Sequence, residues 1–204
     1  MLPGDEERRR ERERRTVDDL QRLLRSLEPL PQPTAHPALI VMVGLPGTGK
    51  SHFSRALAAR LPAIIVESDA IRKTLFAQPT YSPQEHYIVF QRAYALVEEL
   101  IRRGITVIFD ATNLVERHRE YLYRIADRYH ARLLILLTQA PVDVVRQRLE
   151  ARRRETEGLA EADWVVYEKM LPTVERIRRN HYAVDTSQDV GPVIEKIVRA
   201  VRYP

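Results

Sequence analysis

Apolar residues along this chain gather into five short unbroken runs, each followed by polar residues and then by a stretch with helical spacing. The runs are Ala38 to Val43, Ala63 to Val66, Ile105 to Phe109, Leu133 to Leu137 and Tyr182 to Val184. A run without alternation suits a strand buried on both faces, and strands that alternate with helices predict an open, parallel α/β sheet of five strands. The helices are punctuated by the sequence itself. Phe53, Leu57 and Leu61 recur at helical spacing after the first run. Ser82-Pro83-Gln84-Glu85 reads as a capping box with proline at the first helical position, and Gly104 closes that helix. Pro141 opens another, whose apolar stripe Val142, Val145 and Leu149 is expected to pack on the sheet.

Ahead of the first run, charges alternate densely from Asp5, and Val17, Leu20, Leu23, Leu24 and Leu27 then appear at helical spacing before Pro29, Pro31, Pro33 and Pro37. Residues 1–37 are therefore expected as a charged helix whose last turns dock, followed by a proline-stiffened linker, with residues 38–204 as the α/β domain. The bland alternative is a frayed tail; the functional one is a helix for self-association or for a partner.

Composition narrows the setting. The chain has 204 residues, 44% of them hydrophobic, which suits one domain with a normal core plus an extension. Zero cysteines exclude disulfides and thiolate metal sites, and no histidines fall at metal-ligand spacing. No apolar run is long enough to span a membrane and no secretory start is visible, so a cytoplasmic protein without a membrane partner is expected. The net charge of +5 looks like a sign of nucleic acid until it is mapped. Residues 1–37 carry eight Arg against eight acidic residues, whereas Arg146 to Arg154 sets five Arg against Glu150 alone. A local basic cluster implies local anion chemistry, which a nucleotide satisfies as well as a polynucleotide.

The chemistry begins where the first run ends. Residues 44–51 read Gly-Leu-Pro-Gly-Thr-Gly-Lys-Ser, a complete G-x-x-x-x-G-K-[ST] phosphate-binding loop between strand and helix. Gly44, Gly47 and Gly49 let successive amides, including that of Thr48, converge on phosphates at a helix start whose dipole favours anions. Lys50 is expected on the β- and γ-phosphates of ATP, and Ser51 offers its hydroxyl to Mg²⁺. His52, in the first helical turn, is included among the nucleotide-binding positions but reads as exposed rather than catalytic.

A phosphate loop alone fits motors, switches and kinases, so the other strand ends must choose. Asp69 and Arg72 follow the second run at a spacing that puts both on one helical face, where a carboxylate can orient and deprotonate an attacking hydroxyl and a cation can hold the acceptor. Helix capping with a local ion pair is the plain alternative. Asp110 ends the third run, where a buried carboxylate needs a cation or several donors; it is a candidate for a magnesium-bound water, as is Asp69, or for pairing with Arg72. Thr112 and Asn113 follow it, and for Asn113 helix capping is the safer reading. Arg148 and Arg152, four apart, are expected to close over the triphosphate as part of a lid at about 147–165, with 155–161 as its mobile part. Tyr81, Tyr87 and Phe90 border the acceptor region, although core packing explains them equally well.

From Ala38 onward the chain resembles the AAA_33 family of P-loop kinases, which includes polynucleotide 5′-hydroxyl kinase domains. The resemblance rests on the phosphate loop, Ser68-Asp69-Ala70-Ile71-Arg72, Phe109-Asp110-Ala111-Thr112-Asn113 and the pair Arg148 and Arg152. It implies a nucleotide-kinase type of P-loop fold, with helices flanking the sheet and an Arg-rich lid. By resemblance Asp69 is the general base, Arg72 contacts an acceptor-side phosphate, Asp110 braces Arg72, and Asp185 with Thr186 lies near the adenine. The implied activity is ATP- and Mg²⁺-dependent phosphoryl transfer to an alcohol, either a nucleic-acid 5′ end or a small molecule such as a nucleoside or sugar. A non-catalytic ATP-dependent assembly module is the reading from another class. A motor ATPase fits less well, because no apolar strand ends in an Asp-Glu pair.

Overall fold

The computed structural model describes residues 3–155 and 161–203. Five parallel strands, β1 (Ala38–Val43), β2 (Ala63–Glu67), β3 (Thr106–Asp110), β4 (Arg132–Gln139) and β5 (Tyr182–Asp185), form one sheet in the order β2-β3-β1-β4-β5. The central strand β1 explains its own composition. Leu39, Val41 and Val43 enter one core with Val107, Phe109 and Ile135, while Ala38, Ile40 and Met42 enter the other with Ile108, Leu134 and Leu136. Both faces are covered, so no position on β1 can be polar.

The first face is covered by α4 (Pro83–Arg102) and α5 (Glu116–Arg128), through Val89, Phe90, Ala93, Val97, Leu122 and Ile125. The second is covered by α2 (Lys50–Ala58) and α8 (Gly191–Arg202), through Phe53, Leu57, Ile194 and Ile197. Helix α4 ends as expected: Gly104 adopts φ +77°, its amide bonds to Ile101 and that of Ile105 to Leu100, the two hydrogen bonds of a Schellman motif. At its start only half of the capping box forms. The Ser82 hydroxyl accepts from the Glu85 amide at 3.3 Å, but the Glu85 carboxylate turns away to tertiary partners.

Two other expectations change. Helix α6 (Val142–Glu155) does not lie on the sheet: Val142 is exposed, while Val145 and Leu149 pack with Leu45, Trp164 and Tyr167 in a separate small cluster. The sheet faces are already occupied, and a two-residue stripe flanked by arginines is too narrow to compete for them. The long helix α1 (Pro3–Ser26) sends Leu20, Leu23 and Leu24 into the first core, with Leu23 buried, and Asp19 pairs with Arg92 at 2.8 Å. Most of the apolar stripe considered for a partner or second copy thus packs on the chain's own domain, while Val17 stays exposed.

Candidate active site

The loop from Gly44 to Ser51 joins β1 to α2, and its glycines are demanded by contact and by conformation. A Cβ at Gly44 would meet Thr138 Oγ1 at 2.6 Å and Thr48 Oγ1 at 2.7 Å. Gly49 caps α2 in the left-handed region at φ +85°, where a side chain is strained. The loop is tied to its neighbours by short polar contacts. Thr48 Oγ1 lies 2.9 Å from Thr138 Oγ1, and Thr186 donates its hydroxyl to the Thr48 carbonyl at 2.8 Å. Helix α2 starts here, and the amides of its first turn have no intrahelical acceptor, which makes the loop mouth an anion site.

Lys50 donates to the Leu45 carbonyl of its own loop at 2.9 Å. Burial pushes its ammonium down from 10.5 to about 8, with Asp110 and then Asp69 pulling the other way and Arg152 adding to the depression. Asp69 follows β2, Asp110 ends the paired strand β3 and Arg152 stands on α6, so charges from three elements act on Lys50. Asp110 is the last residue of β3, opposite Glu67 in the ladder, and it is 5% exposed. Its Oδ2 has no hydrogen-bond partner. A buried carboxylate oxygen with no donor, beside the phosphate loop, fits the water shell of a phosphate-bound Mg²⁺, a cation that needs only one or two protein carboxylates. Among the described residues no cluster of three or more acidic or histidine side chains forms a metal cage. Ser51 is half-buried in the first turn of α2, and His52 is exposed there.

Arg72 departs from expectation. It lies one turn after Asp69 on α3 (Ser68–Leu75), as the spacing predicts, but its ion pair is with Glu85 of α4 and not with Asp110. Glu85 also accepts from the Thr80 amide and hydroxyl, both at 2.7 Å. Burial alone would raise the Glu85 carboxyl, yet the Thr80 amide, Arg72 and the Thr80 hydroxyl outweigh it and hold the group down at about 2. The Glu85 role was hidden because a glutamate three residues after a serine reads as a capping residue. Over the outer side of this pair lies Tyr81, its ring centroid 4.6 Å from the Arg72 guanidinium carbon. Tyr81 and Tyr87 are exposed, so core packing accounts only for Phe90 among the three aromatics.

Asn113 does not cap α5, which starts at Glu116 behind Val115. It is buried at φ +49° and donates to the Met42 carbonyl at 2.7 Å, extending the β1 ladder beyond the end of β3. Arg119, wholly buried, holds that turn by donating to the carbonyls of Asn113 and Leu114 at 2.8 and 2.6 Å.

Arg148 and Arg152 have different surroundings. Arg148 donates to the Thr186 hydroxyl at 2.8 Å and carbonyl at 2.7 Å, and reaches the Gly47 carbonyl at 3.4 Å. Arg152, one turn on, is exposed and its charge is felt at Lys50. Asp185 accepts from the Ser187 hydroxyl and amide, which lower its pKa, so it shapes the β5–α8 loop in which Thr186 sits. Residues 156–160, within the expected mobile part of the lid, lie outside the described residues.

The profile of AAA_33, described as an AAA domain, matches residues 39–177. The chain belongs to that family. Within reach of this AAA_33 protein, the L-seryl-tRNA(Sec) kinase of Methanococcus maripaludis is 27% identical over 115 residues, 54% of this chain and 44% of the relative. The adenylyl-sulfate kinase of Paraburkholderia xenovorans is 27% identical over 166 residues, 71% of this chain and 91% of the relative. The chain thus spans less than half of the first relative's length and nearly all of the second's. Among solved structures, Mycobacterium tuberculosis APS kinase in complex with AMPPNP and APS shares the fold, with a TM-score of 0.60 at 16% identity over 82% of this chain and 97% of that one. No helix among the described residues is long and apolar enough to cross a membrane.

Proposed function

We propose that this protein is an ATP-dependent kinase that transfers the γ-phosphate to an alcohol, with Asp69 as the base and Lys50 on the phosphates. The observation that carries this reading is that Asp69 follows β2, Asp110 ends the paired strand β3, and both act by charge on the half-buried Lys50 of the phosphate loop. An ATPase needs a water-positioning group there; two carboxylates from adjacent strand ends suit a bound hydroxyl and a metal-bound water instead.

In this scheme the acceptor hydroxyl gives its proton to Asp69 as its oxygen bonds to the γ-phosphorus. The bond from that phosphorus to the β,γ-bridging oxygen breaks, and ADP leaves with the electron pair. Lys50 and Arg152 neutralise charge on the transferring group and the leaving oxygen, while Arg148 holds the loop around Thr186 against the nucleotide. Mg²⁺, when bound with ATP, would be held by Ser51 and through water by Asp110 and Asp69, and would supply charge neutralisation at the β- and γ-oxygens.

The finer reading is a nucleic-acid 5′-hydroxyl acceptor, with a nucleoside or other small alcohol as the alternative within the same chemistry. Both named relatives support a nucleotide-bearing acceptor, since a tRNA and an adenylyl group stand in their names. The test is a labelled γ-phosphate transfer screen over 5′-hydroxyl DNA and RNA ends, nucleosides and sugars, repeated with Asp69→Asn. Transfer that falls about 10²-fold or more in kcat, with ATP affinity little changed, is expected. ATP hydrolysis that no alcohol diverts, in wild type and variant alike, would overturn the reading.

A further inference from the structure

Tyr81 combines three properties that packing does not require together. It is a bulky residue at φ +54°, it is 64% exposed, and one face of its ring is fixed against a buried cation. A left-handed conformation is costly for a tyrosine, and a side chain so exposed recovers little of that cost through burial. The structure nevertheless holds the ring firmly. Arg72 lies behind it, Glu85 fixes Arg72, and Thr80, the residue before Tyr81, fixes Glu85 through its amide and hydroxyl. The outer face of the ring is left open.

The position matters as much as the posture. Arg72 and Asp69 are three residues apart on α3, so their side chains are neighbours on one face, and the ring stands over the Arg72 end of that face. Most polar groups beside the ring are already committed, the Arg72 Nε donor excepted. Thr80 donates to Ser82 and Glu85, both Glu85 oxygens are taken, and Arg72 is neutralised. A polyol needs many unspent donors and acceptors, and the Arg72–Glu85 pair and Thr80 leave few beside the ring. A flat, neutral π-system needs only the open ring face, behind which the guanidinium polarises the tyrosine.

We propose that Tyr81, clamped by the Arg72–Glu85 pair, is the stacking shelf for the nucleobase of the acceptor, so that the alcohol phosphorylated at Asp69 is base-bearing: a nucleoside or the 5′-terminal nucleotide of a strand. This rests on the kinase reading above and adds the acceptor's recognition to it. Base–aromatic stacking is tolerant of base identity, so the shelf selects for a base without choosing among the four.

The test measures acceptor KM on the full chain for adenosine, thymidine and a short 5′-hydroxyl oligonucleotide, against methyl riboside and glycerol, in wild type, Tyr81→Phe and Tyr81→Gly. Glycine accepts φ +54° without strain, so a loss in Tyr81→Gly is not caused by backbone strain, and thermal melting checks that the variant is folded. Wild type is expected to prefer base-bearing acceptors. Tyr81→Gly should raise their KM by about tenfold or more while the ATP dissociation constant stays put, and Tyr81→Phe should restore it. A similar KM for nucleoside and oligonucleotide identifies the terminal base as the whole determinant; a lower one for the oligonucleotide, still raised by Tyr81→Gly, adds strand contacts to the shelf. Equal use of base-free alcohols, or an unchanged nucleoside KM in folded Tyr81→Gly, would overturn the shelf and leave the kinase standing. No transfer to any alcohol would overturn the kinase and the shelf together.

Discussion

The guanidinium of Arg72 is paired with the carboxylate of Glu85, thirteen residues further along the chain, and both side chains are 5% exposed. The pair joins α3, which carries Asp69, to the start of α4, and so sets the distance between Asp69 and the loop that carries Tyr81. Removing one partner would leave the other as a buried, uncompensated charge, which is the costly way to alter an ion pair.

That pair predicts an acid-dependent stability difference. Glu85 is held at about 2 in the folded chain against an ordinary 4.5. A lowered carboxyl contributes stability that is complete above the unfolded value and is lost as pH falls through the folded one. The urea midpoint of Glu85→Gln should therefore lie below wild type by a constant amount from neutral pH down to about 4.5, and the gap should close as pH approaches about 2. A gap independent of pH over that window would mean that the pair does not stabilise through its charge.

Lys50 gives a second pH signature, in binding. Its ammonium sits at about 8 in the free protein, chiefly through burial, and ATP phosphates would restore the charge. ATP affinity should be flat below pH ~7.5 and weaken by up to about tenfold per unit above ~8.5, with proton uptake on binding at about pH 9. Calorimetry in two buffers of different ionisation enthalpy measures that uptake directly. Lys50→Ala should abolish both the uptake and phosphoryl transfer while leaving the melting temperature close to wild type.

How far these relationships could be read from sequence depends on whether the signal was local. The central strands were legible because β1 and β3, buried along their whole length, have to be largely apolar, and the helix stop at Gly104 was legible because a Schellman turn needs its positive φ. Strand ends were less so: β2 and β3 each run on to an acidic residue, Glu67 and Asp110, because ladder pairing continues after the apolar run stops. The residues around the phosphate loop were legible from motif and position. The partner of Arg72 was not, since Glu85 satisfies a capping pattern just as well, and neither was the role of Asn113, whose amide serves β1 instead of the helix that follows. In each case a short polar side chain had a local use and a distant one, and packing of the neighbouring helix decided between them.

Arg148 and Arg152 should separate in kinetics. Arg148 already spends its donors on Thr186 and Gly47, whereas Arg152 contributes charge near Lys50. Arg148→Ala should act mainly on the KM for ATP, by about tenfold, the scale of losing charge-assisted hydrogen bonds. Arg152→Ala should act mainly on kcat. If the two work separately, the double variant multiplies the single effects; a marked shortfall from the product would restore the single clamp over the triphosphate.

Helix α1 should matter to stability and not to chemistry. Leu23 is 2% exposed within the core shared with α4, so Leu23→Ala should cost about 2–5 kcal/mol. Deleting residues 1–34 should lower the denaturant midpoint further, because Leu20, Leu24, Leu27 and Leu30 also leave that core. Below the melting transition, Leu23→Ala should keep the wild-type kcat. Unchanged stability in the truncated chain would mean that the helix does not dock in solution.

Salt dependence measures how much of a strand the site engages. Each phosphate held by a cation on a single strand adds a log-log slope of about −0.7 to affinity against salt. Arg72, the cation nearest Asp69 along α3, is neutralised by Glu85, Lys73 after it is a single exposed cation, and the basic excess lies on α6. An oligonucleotide acceptor should therefore show a slope of about −1.5 or shallower, corresponding to one or two phosphates, and a nucleoside should show almost none. Acceptor KM measured at several salt concentrations with ATP saturating gives both slopes. Glu85→Gln should steepen the oligonucleotide slope, because it releases the Arg72 charge towards the strand, and should leave the nucleoside slope near zero. A steep slope already present in wild type would mean that cations outside this pair track the backbone.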